Sequence, residues 1–207
     1  MSDTGLVKKL AIGFTMKEGF AVGIKDIGPI LVNVLLWVLT VWVPYLNIGT
    51  TIGLFVGVVT KASRGESISM TEIFDPKYRK YMIEFFLTSG LIWIGVSVGM
   101  LLFLIPGIIV GLAWSLAVLL AIDKGKNPIE AIVLSNDLTY GYKLRMTGIY
   151  LLISVIFLFA QIILMVIGIA AEIYGFAVFL LLLTMLFEVI VFIGLQASIY
   201  RQLTENV

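Results

Sequence analysis

The residue with the sharpest chemical meaning is Glu188, a carboxyl group near the middle of a long apolar stretch with no Lys or Arg in it. An ionised carboxylate at that depth is costly, so the neutral acid is the expected form. Gln161 lies at a similar depth in the preceding apolar stretch and can hydrogen-bond to it. Two readings follow. Glu188 is either a proton or cation site, or a neutral acid satisfied by Gln161 that specifies helix packing. The other carboxylates of the apolar segments, Glu84 and Glu172, fall near their ends, where water is expected to reach them. Asn33, Thr40, Ser89, Ser97, Ser115 and Ser154 are further polar groups within these stretches. Such groups line a pore or bond to neighbouring helices and to their own backbone.

Classical catalytic constellations are missing. The chain has no His and no Cys. It carries no nucleophile-elbow motif, no phosphate-cradling glycine loop and no metal-ligand cluster. The expectation is therefore a non-enzymatic protein with no cofactor and no metal.

Small residues at every fourth position form the most specific local motif. Gly49, Gly53 and Gly57 make one ladder, and Gly107, Gly111 and Ser115 make a second. Such stripes let two helix backbones approach closely. Tight packing within the chain is the first reading, and a homo-oligomer seam or sliding surface is the other. In Asp75-Pro-Lys-Tyr-Arg-Lys-Tyr81, the cations Lys77, Arg79 and Lys80 alternate with tyrosines. That suits phosphate headgroups, at about 1 kcal/mol per basic residue near an anionic surface. A generic cationic anchor fits the same pattern.

These residues need elements to hold them, and composition says which. Of 207 residues 60% are hydrophobic and 13% charged, with a mean hydropathy of +1.10. Soluble domains are about a quarter charged. The bilayer is therefore the solvent for most of the surface, and the class is an all-α polytopic membrane protein in one domain. A formal net charge of +1 argues against a nucleic-acid partner. Membrane lipids are the expected partners, with a second copy or other membrane proteins open.

Six apolar spans emerge, at about 28–45, 46–61, 81–104, 107–122, 147–171 and 175–200. The second and fourth are short. Lys8, Lys9, Lys17 and Lys25 precede the first span, and Lys61, Arg64, Lys77, Arg79 and Lys80 follow the second. Lys124, Lys126, Lys143 and Arg145 follow the fourth, and Arg201 follows the sixth, which accounts for all fourteen cations. Cationic loops stay cytoplasmic, so six crossings with both termini inside are expected. The short apolar run 10–16, interrupted by Lys17 and Glu18, reads as retained rather than cleaved.

Three amphipathic helices are expected at the interface. One covers about 5–24, with Leu6, Leu10 and Phe14 in line. One covers about 69–81, opened by a Ser69-x-x-Glu72 capping box. One covers about 127–140, with Asn127 as cap and Pro128 at the first helical position. The sequence of interfacial helix, span, tight turn and span recurs, which reads as a parallel repeat of helix hairpins. In its first two units Pro44 and Pro106 each end the outward helix.

Two stretches carry a resemblance. One is Arg64-Gly-Glu-Ser-Ile-Ser-Met-Thr-Glu-Ile-Phe74. The other is Leu104-Ile-Pro-Gly-Ile-Ile-Val-Gly111, followed by Asp123, Glu130-Ala131 and Ser135-Asn-Asp-Leu-Thr-Tyr-Gly141. Over about 43–147 the chain resembles uncharacterised prokaryotic integral membrane proteins, related to the membrane domain beside some glycerophosphoryl diester phosphodiesterases. The resemblance implies a helical bundle in a bacterial or archaeal cytoplasmic membrane. It carries over no catalytic residue, because the catalytic barrel of those enzymes uses histidine. The sequence thus reads as a scaffold, lipid-binding protein or subunit of a membrane complex. The alternative is a small proton- or ion-coupled transporter or channel using Glu188.

Overall fold

The computed structural model describes residues 10–205, and within them the chain is helical with no strand. Residues 5–9 of the expected first helix lie outside the described residues. The elements are α1 (Ile12–Lys25), α2 (Ile27–Thr40), α3 (Pro44–Ile52), a π-helical turn (Gly53–Val58) and α4 (Val59–Arg64). Then come two short 3-10 turns (Glu72–Phe74 and Pro76–Tyr81) and α5 (Met82–Leu102). The remainder is α6 (Leu104–Ala113), α7 (Ala117–Asp123), α8 (Pro128–Thr139), α9 (Lys143–Ala170) and α10 (Tyr174–Thr204).

Among the described residues five helical stretches are long and apolar enough to cross a membrane: Pro44–Arg64, Pro76–Leu102, Leu104–Asp123, Lys143–Ala170 and Tyr174–Thr204. The first expected span differs. Its helix α2 has 14 residues, a length of about 21 Å, short of the hydrocarbon thickness. Only with α1, from which it is bent by 76°, would it make a sixth.

Helix α10 organises the bundle. Its C-terminal half is buried, with α1, α4 and α9 packed along it. The α1 contact is a close approach of two helix backbones. A Cβ on Gly19 would lie 2.8 Å from Leu195 Cα, and one on Gly194 would lie 2.8 Å from the Gly23 nitrogen. Helix α1 therefore buries Thr15, Gly19 and Gly23, while Phe14, expected on the apolar face, is 58% exposed. At the far end of α10 and α9 the side chains turn outward, as the lipid-facing half of a span does.

Local chemistry explains several boundaries. Asn127 Oδ1 accepts the Glu130 N–H at 2.9 Å and starts α8. Pro44 and Pro106 sit in the first turns of α3 and α6, rather than ending the helices before them. Proline lacks an N–H that a first turn does not need. The expected helix at 69–81 is replaced by the two 3-10 turns. The Ser69 hydroxyl accepts the Thr71 N–H at 3.4 Å, and Pro76 begins a separate turn that the Asp75 side chain caps. Glu72 is thereby free to turn inward.

The two hairpin units, α2 with α3–α4 and α5 with α6–α7, share order but not packing. The small residues of the second unit face α5, where a Cβ on Gly107 would lie 2.9 Å from the Met100 nitrogen. Those of the first face a loop, as described next. The second returning helix breaks at 114–116, and α8 repairs the break. Ser135 Oγ donates to the Ala113 carbonyl at 2.7 Å and accepts the Leu116 N–H at 3.2 Å. Thr139 Oγ1 adds a bond to the Ala113 carbonyl at 3.3 Å. The Ser-x-x-x-Thr of the family-like motif thus has a structural task, since unpaired backbone groups inside a bundle are costly.

Candidate functional site

A large cavity, about 1050 Å³, opens between α2, the π turn, α4, the start of α5, α7, α9 and α10. Its walls are apolar: Val34, Leu35, Trp37, Val38, Leu54, Phe55, Phe85, Leu182, Met185 and Leu186 among them. A few polar groups interrupt them. Tyr150 donates to Gln196 Oε1 at 2.5 Å, and Gln196 Nε2 reaches the Ser115 carbonyl at 3.4 Å. About two turns further along α10, Glu188 also lines the cavity. Gln161 Nε2 donates to Glu188 Oε2 at 3.1 Å. The short α9–α10 turn sets this register, and it equally brings Tyr150 to Gln196. Trp37 is anchored by its indole N–H, which donates to Thr51 Oγ1 at 2.9 Å. An apolar chamber of this size with a few converging polar groups is the usual form of a small-molecule site.

A second, polar cavity of about 240 Å³ lies among Lys61, Arg64, Lys77, Tyr78, Tyr81 and Asp123. Three of these residues, Lys61, Lys77 and Tyr78, hold Glu72, whose side chain is 3% exposed. The Lys61 ammonium lies 2.7 Å from Glu72 Oε2, and Lys77 lies 3.2 Å from Oε1. The Tyr78 hydroxyl donates to Oε1 at 2.7 Å. Burial pushes the Glu72 carboxyl up, and the bonds from Lys61, Tyr78 and Lys77 outweigh that and hold it below the usual carboxylate range. Arg64 pairs with Asp123, which also accepts the Tyr200 hydroxyl at 2.7 Å. At the same end of the bundle Arg201 pairs with Glu18.

The headgroup candidates are used unequally. The Lys77 ammonium is committed to Glu72 and, at 2.8 Å, to Asp75. The Arg79 guanidinium sits 5.7 Å over the Tyr45 ring. Lys80 is exposed.

The Gly49–Gly53–Gly57 ladder receives this same segment, not a helix. A Cβ on Gly53 would lie 2.6 Å from Ile73 Cα, one on Gly49 would lie 3.0 Å from Arg79 Cγ, and one on Gly57 would collide with the Tyr78 ring. The π turn spans Gly53 and Gly57, where Ile73 and Tyr78 press in. Gly111 has only an ordinary contact with Val96, at 3.7 Å.

Sequence reasoning missed three groups. Gly19-x-x-x-Gly23 carried the small-residue signal of the real α1–α10 seam. Glu72 reads in the sequence as part of a capping box, and only its five-residue spacing from Lys77 hints at a pair. Glu84 Oε2 is buried without a hydrogen-bond partner among the described residues, as is Thr88 Oγ1 one turn on, so water does not reach that oxygen as expected.

No family model matches the chain, and no curated protein or solved structure does either. The resemblance over 43–147 therefore stands on its own motifs.

Proposed function

We propose that this is a non-enzymatic membrane protein that takes an amphiphile from the bilayer into the large cavity, with the apolar part along the walls and a polar head near Tyr150, Gln196 and Glu188. The observation that carries this reading is the cavity itself. Its volume of about 1050 Å³ is at the upper end of the roughly 300–1,000 Å³ of small-molecule sites. The motif resemblance, which carries over no catalytic residue, fits the same reading.

Trp37 lines the cavity, while Trp42 is 86% exposed at the α2–α3 turn. A protein retaining Trp37 alone, with Trp42, Trp93 and Trp114 changed to Phe, should be quenched by a brominated fatty acid to a saturating level. A protein retaining Trp42 alone should show quenching that rises with the bulk concentration. Identical unsaturated curves would sink the proposal.

Glu188 on the cavity wall favours one rival, a small proton- or ion-coupled transporter. Glu188→Gln keeps shape and hydrogen-bonding capacity. In the binding reading it leaves saturable quenching unchanged, whereas in the transport reading it folds and loses flux. We expect unchanged binding and no proton flux above empty liposomes for either protein. Glu188→Leu should lower stability by about 1 kcal/mol, the scale of intramembrane hydrogen bonds.

A further inference from the structure

The helix Pro44–Arg64 has both ends tied to one side of the molecule, although its 21 residues could reach across a bilayer. Its C-terminal Arg64 pairs with Asp123 at the end of α7, beside Tyr200 near the end of α10. That is the side on which the loops carry their cations. At the other end the Arg79 guanidinium covers Tyr45, and the Arg79 stem packs on Gly49. Arg79 precedes the start of α5 by three residues, which extend at most about 10 Å. Tyr81, between them, lines the same polar cavity as Arg64 and Asp123. Helix α5 therefore departs from the cationic side, Arg79 has not left it, and Tyr45 lies there too.

Other observations agree. Of the most apolar window in Pro44–Arg64, 67% is buried in the protein, against 11% for Pro76–Leu102 and for Lys143–Ala170. It is also the least apolar of the five stretches. Helix α2 is held to the same layer by Asn33. That side chain donates to the Ser69 carbonyl at 2.7 Å and accepts the Ile73 N–H at 3.0 Å.

We propose that α2 and the α3–α4 helix form a hairpin that lies along the cytoplasmic interface without crossing, so that the chain crosses the bilayer four times, through α5, α6–α7, α9 and α10. The lipid-binding surface is the tip of that hairpin, where Leu39, Trp42 and Tyr45 are 72%, 86% and 67% exposed. Tryptophan and tyrosine favour the headgroup level, and Arg79 lies over Tyr45, with the exposed Lys80 next in the chain, to meet anionic lipid. Four crossings sort the charge as well as six. The two remaining outer turns, at Phe103 and at 171–173, contain no Lys or Arg.

The absence of cysteine permits a direct test. Tyr45→Cys, Lys80→Cys and Tyr174→Cys are each treated with a membrane-impermeant maleimide in intact cells and in inverted vesicles. Tyr174→Cys should label in cells. Lys80→Cys and Tyr45→Cys should label only in inverted vesicles. Six crossings would place Tyr45 outside. Labelling of Tyr45→Cys in cells overturns the proposal. So does a Tyr45→Cys that stays silent in inverted vesicles where Lys80→Cys reacts.

Discussion

Replacing Gly53 by leucine should be the most damaging single change in the chain. A Cβ at this position meets the Ile73 Cα at 2.6 Å and the Ile73 carbonyl oxygen at 3.0 Å. Both are backbone atoms, so no rotamer change relieves the clash, and the whole 72–81 segment must lift. Lifting it separates Glu72 from Lys61 and Ile73 from Asn33 as well. Overpacking alone costs about 1–3 kcal/mol, and the lost buried hydrogen bonds add to it. Thermal unfolding in detergent should show Gly53→Leu melting far below the parent or failing to purify folded. Gly90→Leu is the control, because nothing lies within 4 Å of a Cβ there. Gly53→Ala separates clash from bulk, since the first carbon already collides, and it should retain a substantial part of the loss. Equal melting of Gly53→Ala and the parent would show that the segment does not rest on the helix as described.

Removing the Glu72 carboxylate should be the next largest loss. Glu72→Leu would leave the Lys61 ammonium and the Tyr78 hydroxyl facing an apolar side chain. Breaking a fully buried pair by deleting one partner costs about 3–5 kcal/mol. The side chains of Lys61 and Lys77 are 25% and 45% exposed, and solvent recovers part of their hydration. About 2 kcal/mol is therefore expected. The pH dependence has a definite sign. The folded protein holds the Glu72 carboxyl below its ordinary value of 4.5. The carboxylate's stabilisation is then complete above that value and is lost as pH falls through the lower, folded-state value. The parent should lose stability as pH is lowered below about 4.5, and Glu72→Gln should flatten that part of the profile. A Glu72→Gln protein with an unchanged acid limb would remove Glu72 from the account.

The ion-paired carboxylate of the fold, Glu72, and the carboxyl of the cavity, Glu188, differ in how far sequence could reach them. Glu188 stood out because one charge in an apolar run is visible in a single line of residues. Its neighbour Gln161 was readable too, because α9 and α10 form a hairpin with a short turn, and antiparallel register then follows from counting. Glu72 did not stand out. It sits in a polar segment, and its value comes from Lys61 on one side and from a loop that folds back over a helix on the other.

Apolar stretches about 20 residues long, the confinement of fourteen cations to a few loops, and Asn127 capping α8 are local properties. Each follows from what a peptide must do with its own backbone groups and side chains in lipid or at its surface. The sequence by itself therefore determined a helical chain whose long helices are apolar enough to cross a membrane, and the end of the bundle that is basic. It did not determine which helix faces meet. Gly19 and Gly23 find Gly194 across most of the chain's length, while the more regular ladder at Gly49, Gly53 and Gly57 accepts a loop. Small residues permit a close approach and do not say to what. The cavity is assembled from α2, the π turn, α7 and α10, which no segment encodes alone. How deep Pro44–Arg64 lies likewise depends on Asp123 and Arg79, at opposite ends of it and far along the chain. Length and hydropathy make crossing affordable for a helix, and long-range contacts decide whether it happens.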